Sequence, residues 1–257
     1  MLARPVEPRA SRMRLQRLLT SVVERIESAM VGALRGRRSD AEDDDQPPSP
    51  ALTSTEMDTL EESGERALRA ATADRALRSA LRQIAVEVRT ISRRDMQRVL
   101  GIRLSEEEFG ELMNGFVREN AKLIRTLGRK QIRDVMSLVR ADVPRGVRIE
   151  ALAEDMIARF GVARRRAVLI ARTETAKLKS QIDEERQKNV GVTHYIWRAV
   201  GGEGGDGRTR KMHRRLHGRR VAYSSPPVAE ASGERHHPGR FPNCRCYAEP
   251  DLSSLGL

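Results

Sequence analysis

The sequence predicts a mainly α-helical protein, with an elongated helical body followed by a small C-terminal α+β module that zinc would stabilise. Three observations lead to that class. Apolar residues recur at steps of three and four through most of the first 190 positions, the period of a helix face. Aromatic residues make up only 3% of the chain and are unevenly placed. Phe109, Phe116 and Phe160 lie upstream, whereas Tyr195, Trp197, Tyr223, Phe241 and Tyr247 crowd the last quarter, so an aliphatic body gives way to a tail with an aromatic core. Finally, four of the five histidines and both cysteines fall between His213 and Cys246.

Taken in order, the chain divides into four parts: 1–38, 39–56, 57–190 and 191–257. In the first, Leu15, Leu18, Leu19, Val22, Ile26, Met30 and Leu34 form one stripe of an amphipathic helix, with Arg14, Arg17, Glu24 and Arg25 off it. The stretch Asp40 to Pro50 is acidic, rich in proline and poor in apolar residues, and reads as a flexible linker. A helix so tethered is free to dock on a partner through Leu15, Leu18, Leu19, Val22, Ile26 and Met30. Packing of that stripe on its own domain is the other reading.

From Met57 to Leu100 the pattern is helical, and Leu77, Leu81, Ile84, Val88 and Ile91 alternate steps of four and three. Gly101 breaks the run. Ser105 to Glu108 has the form of a capping box ahead of the apolar series Phe109, Leu112, Met113, Phe116, Val117, Leu123, Ile124 and Leu127. Gly128 is expected to interrupt that helix, which Ile132, Val135, Met136 and Val139 resume before Pro144 stops it. A short helix over 149–160 should end at Gly161, and another should run over 162–189 to Gly191. The character then changes: Thr193 to Val200 is β-branched and aromatic and reads as a strand. A glycine-rich loop over 201–207, a short helix over 208–217 and a strand over 219–223 follow, and the remainder to Pro250 reads as loop.

The formal net charge is +12, with a pI near 10.6, which calls for a polyanionic partner such as double-stranded DNA, or for a strongly acidic protein surface. Arg208, Arg210, Lys211, Arg214, Arg215, Arg219 and Arg220 form a run without an acidic residue and are the candidate phosphate contacts. No base-reading motif accompanies them, so the expected binding is nonspecific. No apolar stretch is long enough to span a bilayer, so no membrane role is expected. A disulfide across Cys244-Arg245-Cys246 would be strained, which points to free thiols in a reducing compartment.

Thiolates and imidazoles in such a compartment suit zinc. The candidate ligands are Cys244, Cys246 and His213, with a fourth from His217, His236 or His237, of which His237 is the one carried forward. The alternative is an irregular fold in which these side chains make ordinary hydrogen bonds. Catalysis has weaker support. His213 and His217 have the spacing of a metalloprotease helix, but Arg214 stands where the glutamate belongs. A nuclease of the HNH kind could draw on His213, His237, Asn243 and Asp206 but lacks a set of carboxylate partners. The expectation is a protein that is not an enzyme.

One longer pattern joins these residues. Phe116 to Leu127 (FVRENAKLIRTL) and Ile170 to Thr175 (IARTET) precede Trp197, Asp206-Gly207-Arg208-Thr209-Arg210, His213, Leu216 and Gly218, then His237-Pro238-Gly239 and Asn243-Cys244-Arg245-Cys246. Over about 95–250 this order resembles the phage Mu protein F-like, or phage head morphogenesis, family of minor head proteins. The Gly201 to Gly205 stretch is longer than that family's usual turn. The resemblance implies a minor capsid component of a tailed bacteriophage virion, assembled in the host cytoplasm. It implies a place beside the portal protein, with the major capsid or scaffold protein nearby, acting in head assembly and in DNA retention or ejection. Within it, Trp197 is expected to be structural, Arg172 and Glu174 to tie body to tail through ion pairs, and Asp206 to cap the helix bearing His213.

Overall fold

A computed structural model describes residues 5–36, 52–101, 104, 109–145 and 147–255. The expected class holds: six helices and one small antiparallel sheet account for the regular structure among these residues. The helices are α1 (Arg9–Gly36), α2 (Ser54–Ala71), α3 (Asp74–Leu100), α4 (Gly110–Asp142), α5 (Ile149–Asn189) and α6 (Lys211–Arg215). The strands are β1 (His194–Arg198), β2 (Arg220–Ala222) and β3 (Tyr247–Pro250).

Two compact units divide the chain. One comprises 15–81 and 118–168; the other comprises 1–14, 82–117 and 169–257. The first is an aliphatic helical core. Leu15, Leu19, Val22, Ile26, Met30 and Leu34 of α1 are buried, with Leu60 and Leu68 of α2, Ile132, Val135 and Met136 of α4, and Met156 and Phe160 of α5. Two glycines set its closest approaches. A Cβ on Gly64 would meet Met30 Sδ at 2.8 Å, and one on Gly128 would collide with Leu68.

These burials correct one expectation outright. The α1 stripe proposed for partner docking is the chain's own core, with Leu15, Ile26 and Met30 at 0% exposure. Leu18 alone among the proposed docking residues is only half-buried. An amphipathic period reports that a face is covered, not what covers it. The 39–56 linker lies mostly outside the described residues, but its end is helical: α2 begins at Ser54 behind a capping box of Thr53 and Glu56. The box expected at Ser105 to Glu108 lies outside the described residues.

Two expected breaks do not occur, since α4 runs through Gly128 and α5 through Gly161. A helix-interior glycine costs about 1 kcal/mol relative to alanine, less than the burial of Phe160, Ala163, Ala167 and Ala171 along α5 contributes. The 57–100 helix is divided at Thr72 and Ala73. Gly191 does end α5: at φ 88° it adopts the left-handed conformation of a helix C-terminus, and its N–H bonds the Lys188 carbonyl at 2.9 Å.

In the second unit, α5 carries the module. Lys179, buried on α5, reaches Asp183 at 2.7 Å and Asp95 of α3 at 3.0 Å. Ser92 donates to Asp183, and the Val6 N–H donates to Asp95 at 2.8 Å. The sheet has strand order β2-β1-β3, antiparallel throughout. Along β1 burial alternates, so Tyr195 and Trp197 point into the module while Ile196 does not. β3 was not expected, because Pro250 reads as loop. It is an edge strand, where a missing N–H is tolerated.

Candidate metal centre

The module's interior consists of Val192, Tyr195, Trp197, Ala199, Leu216, Val221, Tyr223, Ala229 and the two cysteines. Side chains two apart in an extended segment share a face. The extended approach to β3 therefore aims both Cys244 and Cys246 inward, and both are buried. The turn before them is pinned to α5. Asn243, in the left-handed region at φ 58°, gives its N–H to Thr173 Oγ1 at 3.0 Å, and its Oδ1 accepts from Arg172 at 3.1 Å. Arg172 thus contacts the tail through an amide rather than through the expected ion pair.

Opposite the cysteines, α6 presents His213, 2% exposed and edge-on to the Trp197 ring at 5.5 Å. His213 Nδ1 lies 3.6 Å from Cys244 Sγ and 3.5 Å from Cys246 Sγ. These three ligand atoms lie within 4.8 Å of one another. Bond lengths of ~2.3 Å to sulfur and ~2.0–2.1 Å to nitrogen at a tetrahedral angle require an N···S edge of about 3.6 Å. The observed separations fit. On the far side of the ring, His213 Nε2 meets Glu230 Oε1 at 3.0 Å, the carboxylate–histidine pairing that orients metal-bound imidazoles.

The sulfurs have the surroundings of thiolates. The Gly239 N–H donates to Cys244 Sγ at 3.4 Å. The Val200 N–H and the buried Trp197 indole N–H, which has no oxygen acceptor, favour the anion at Cys246. Hydrogen bonding from Cys246 holds Cys244 well below the ordinary thiol range against the opposing effect of burial, with His213 and Gly239 adding to it. The same contact and burial push Cys246 up, so without a cation the pair keeps one proton. Burial opposes charge on His213, but Cys244 and Glu230 outweigh it and raise its pKa. A divalent cation would replace both protons, and the donor set fits one.

The remaining candidates are placed elsewhere. His237, expected as a ligand, does not join the cluster: its Nδ1 meets the Tyr195 hydroxyl at 3.0 Å and its Nε2 lies 3.9 Å from Glu184. Burial lowers its pKa. Asp206 caps no helix, since Arg210 is the residue before α6 and makes no side-chain cap. Asp206 instead accepts from the Arg208 and Thr209 N–H groups, at 3.1 Å each, and pairs with Arg245 at 2.6 Å. The Arg245 hydrogen bond holds it far below the usual carboxylate range.

Of the seven proposed phosphate contacts, three are engaged within the module. Arg210 bonds the Pro242 carbonyl at 2.9 Å and stacks over Phe241, Arg214 bonds the Gly204 carbonyl at 3.0 Å, and Arg220 pairs with Asp251. Arg208, Lys211, Arg215 and Arg219 are exposed. Sequence reasoning missed Glu230, although it is the first carboxylate after Asp206 in a strongly basic stretch.

Fold and site together define a class: a mainly helical protein closed by a small α+β module around a buried His/Cys cluster. Residues 132–249 match the family described as Phage Mu protein F like protein, and the resemblance read from the motif string holds over that stretch. The match covers the cluster, all of α5, and all three strands but the last residue of β3. A protein of Haemophilus influenzae, described only as uncharacterized, is 28% identical over 144 residues, 56% of this chain. The aligned stretch spans 30% of that protein's length. No solved structure matches the chain. Among the described residues, no helix is long and apolar enough to cross a membrane.

Proposed function

We propose that the chain is a minor head protein of a tailed bacteriophage, noncatalytic, acting in head assembly and in retaining or releasing DNA. One observation carries this reading: the family match over 132–249 takes in the motifs from Ile170 to Cys246, and with them most of the folded C-terminal module. The protein sits in the virion beside the portal, and its C-terminal module faces packaged DNA. Arg208, Lys211, Arg215 and Arg219, exposed around α6, contact phosphates without reading sequence. Zinc at His213, Cys244 and Cys246 holds the module together. Portal contact uses a surface other than the apolar stripe of α1, which is buried.

The test is copurification of the full chain with the portal protein from the same phage genome. Capture that survives stringent salt supports the reading, and absence of any complex with portal, capsid or scaffold protein removes it. DNA binding has its own signature. Replacing Lys211, Arg215 and Arg219 with alanine is expected to flatten the salt dependence of binding, by roughly 0.9 in log–log slope for each phosphate left without its cation. Arg210→Ala serves as the contrast, since that guanidinium is held by Pro242, Phe241 and Glu230. The nuclease alternative has no favouring observation, because His237 and Asn243 face Tyr195 and Arg172 rather than a shared centre.

A further inference from the structure

Structural zinc sites close with four protein ligands, whereas sites with three keep a position for an exchangeable one. Among the described residues, the Cys244–Cys246–His213 group gathers three. Each other imidazole of the module is held by a different bond, His194 Nδ1 by the Thr193 hydroxyl at 2.9 Å. His217 Nδ1 accepts the Ala199 N–H at 3.1 Å. His236 places Nε2 on Glu230 at 3.3 Å and Nδ1 on the His237 carbonyl at 3.1 Å. His237 meets Tyr195. The carboxylates are also taken: Glu230 orients His213 from its far nitrogen, Asp206 is bound by Arg245, and Asp183 is bound by Lys179.

A cavity of about 120 Å³ is lined by Cys244 and Cys246 together with Lys179, Ser180, Pro238 and Gly239. It is larger than one water requires. Gly239, which also lines it, packs closely on α5: it takes φ 84°, and a Cβ there would lie 3.1 Å from Ser180 Cβ.

We infer that zinc at this centre has three protein ligands, His213 Nδ1 and the two cysteine sulfurs, and an open fourth position reached from the cavity beside Cys244 and Cys246. That position takes an exchangeable water, displaceable by a small neutral azole. The inference rests on the reading that the cluster holds zinc. Two thiolates and a neutral imidazole cancel the charge of the cation, so the site favours a neutral donor over an anion. It gives the module a Lewis-acid position that a closed structural site lacks.

The full-length protein loaded with Co(II) in place of zinc, titrated with imidazole, tests this directly. The expected result is one cobalt per chain whose visible d–d bands shift saturably with imidazole. The metal should stay bound, and His236→Ala and His237→Ala should give the same spectrum and the same shift. Bands indifferent to imidazole, or altered before its addition by either variant, overturn the open position in favour of a histidine closing the site. A protein that takes up no cobalt overturns the zinc reading itself, so the two failures are distinct.

Discussion

The aliphatic unit over 15–81 and 118–168 and the module over 191–257 are stabilised by different means. The first buries Leu15, Leu19, Ile26, Met30, Ile132 and Met136 with little polar interruption, so its cohesion is distributed over many interchangeable side chains. The second has a few short strands and one helix of five residues, and its interior is made of aromatic rings, imidazoles and thiols. Its cohesion is concentrated in a few specific contacts. Periodicity therefore describes the first region well, and motif order describes the second.

The comparison breaks most visibly at α1. Deleting residues 1–36 removes eight buried apolar side chains between Leu15 and Leu34. At about 1.5–3 kcal/mol each, their removal exceeds the roughly 5–15 kcal/mol by which a domain is stable. The truncated chain is expected to lose cooperative unfolding by circular dichroism. A body that still melts cooperatively at the same temperature would return α1 to the role of a free docking helix.

A smaller effect is expected where polar and apolar modes meet on α5. Lys179→Met removes the buried cation that Asp95 and Asp183 share, leaving Asp183 without it and Asp95 with Arg98 alone, at a cost of about 3–5 kcal/mol in urea unfolding. Burial opposes charge on Lys179, but Asp183 and Asp95 outweigh it and raise its pKa above 10.5. Its contribution is thus whole below the ordinary lysine value and is lost only as pH rises through the raised one. Stability falling between pH 6 and 9 on account of this residue would contradict the assignment.

Gly128→Val probes the distributed mode. The added side chain collides with Leu68, and overpacking is expected to cost about 1–3 kcal/mol without altering metal content. Least of all, Arg220→Gln removes an exposed pair with Asp251 and should change stability by under ~1 kcal/mol. Asp251 is held at about 2 by Ser253 and Arg220, so what the pair contributes is present above the ordinary carboxylate value and lost as pH falls toward 2. A loss of several kcal/mol at neutral pH would mean that the surface charges of the module are structural.

What was legible in the sequence follows the same contrast. The α1 and α4 faces, the strand through Tyr195 and Trp197, and the convergence of His213 with the cysteines could all be read from spacing and clustering. Three things could not. Which surface covers the α1 stripe depends on tertiary packing that no period encodes. Gly128 and Gly161 read as breaks because their propensity is local, whereas Leu68 packing against Gly128 is not. His237 differs from His213 only in where its loop points it, and the Tyr195 hydroxyl that holds it lies 42 residues earlier. The Thr53–Glu56 box, by contrast, was present in the sequence and marks the true start of α2.

The central claim is that a metal organises the module around His213, Cys244 and Cys246. Elemental analysis of the full-length protein, purified without added metal, tests it most directly. Close to one zinc per chain is expected, and none in the Cys244→Ser/Cys246→Ser double variant. Zinc-free protein whose Trp197, Tyr195 and Tyr223 still give a folded near-ultraviolet dichroism signal would contradict it.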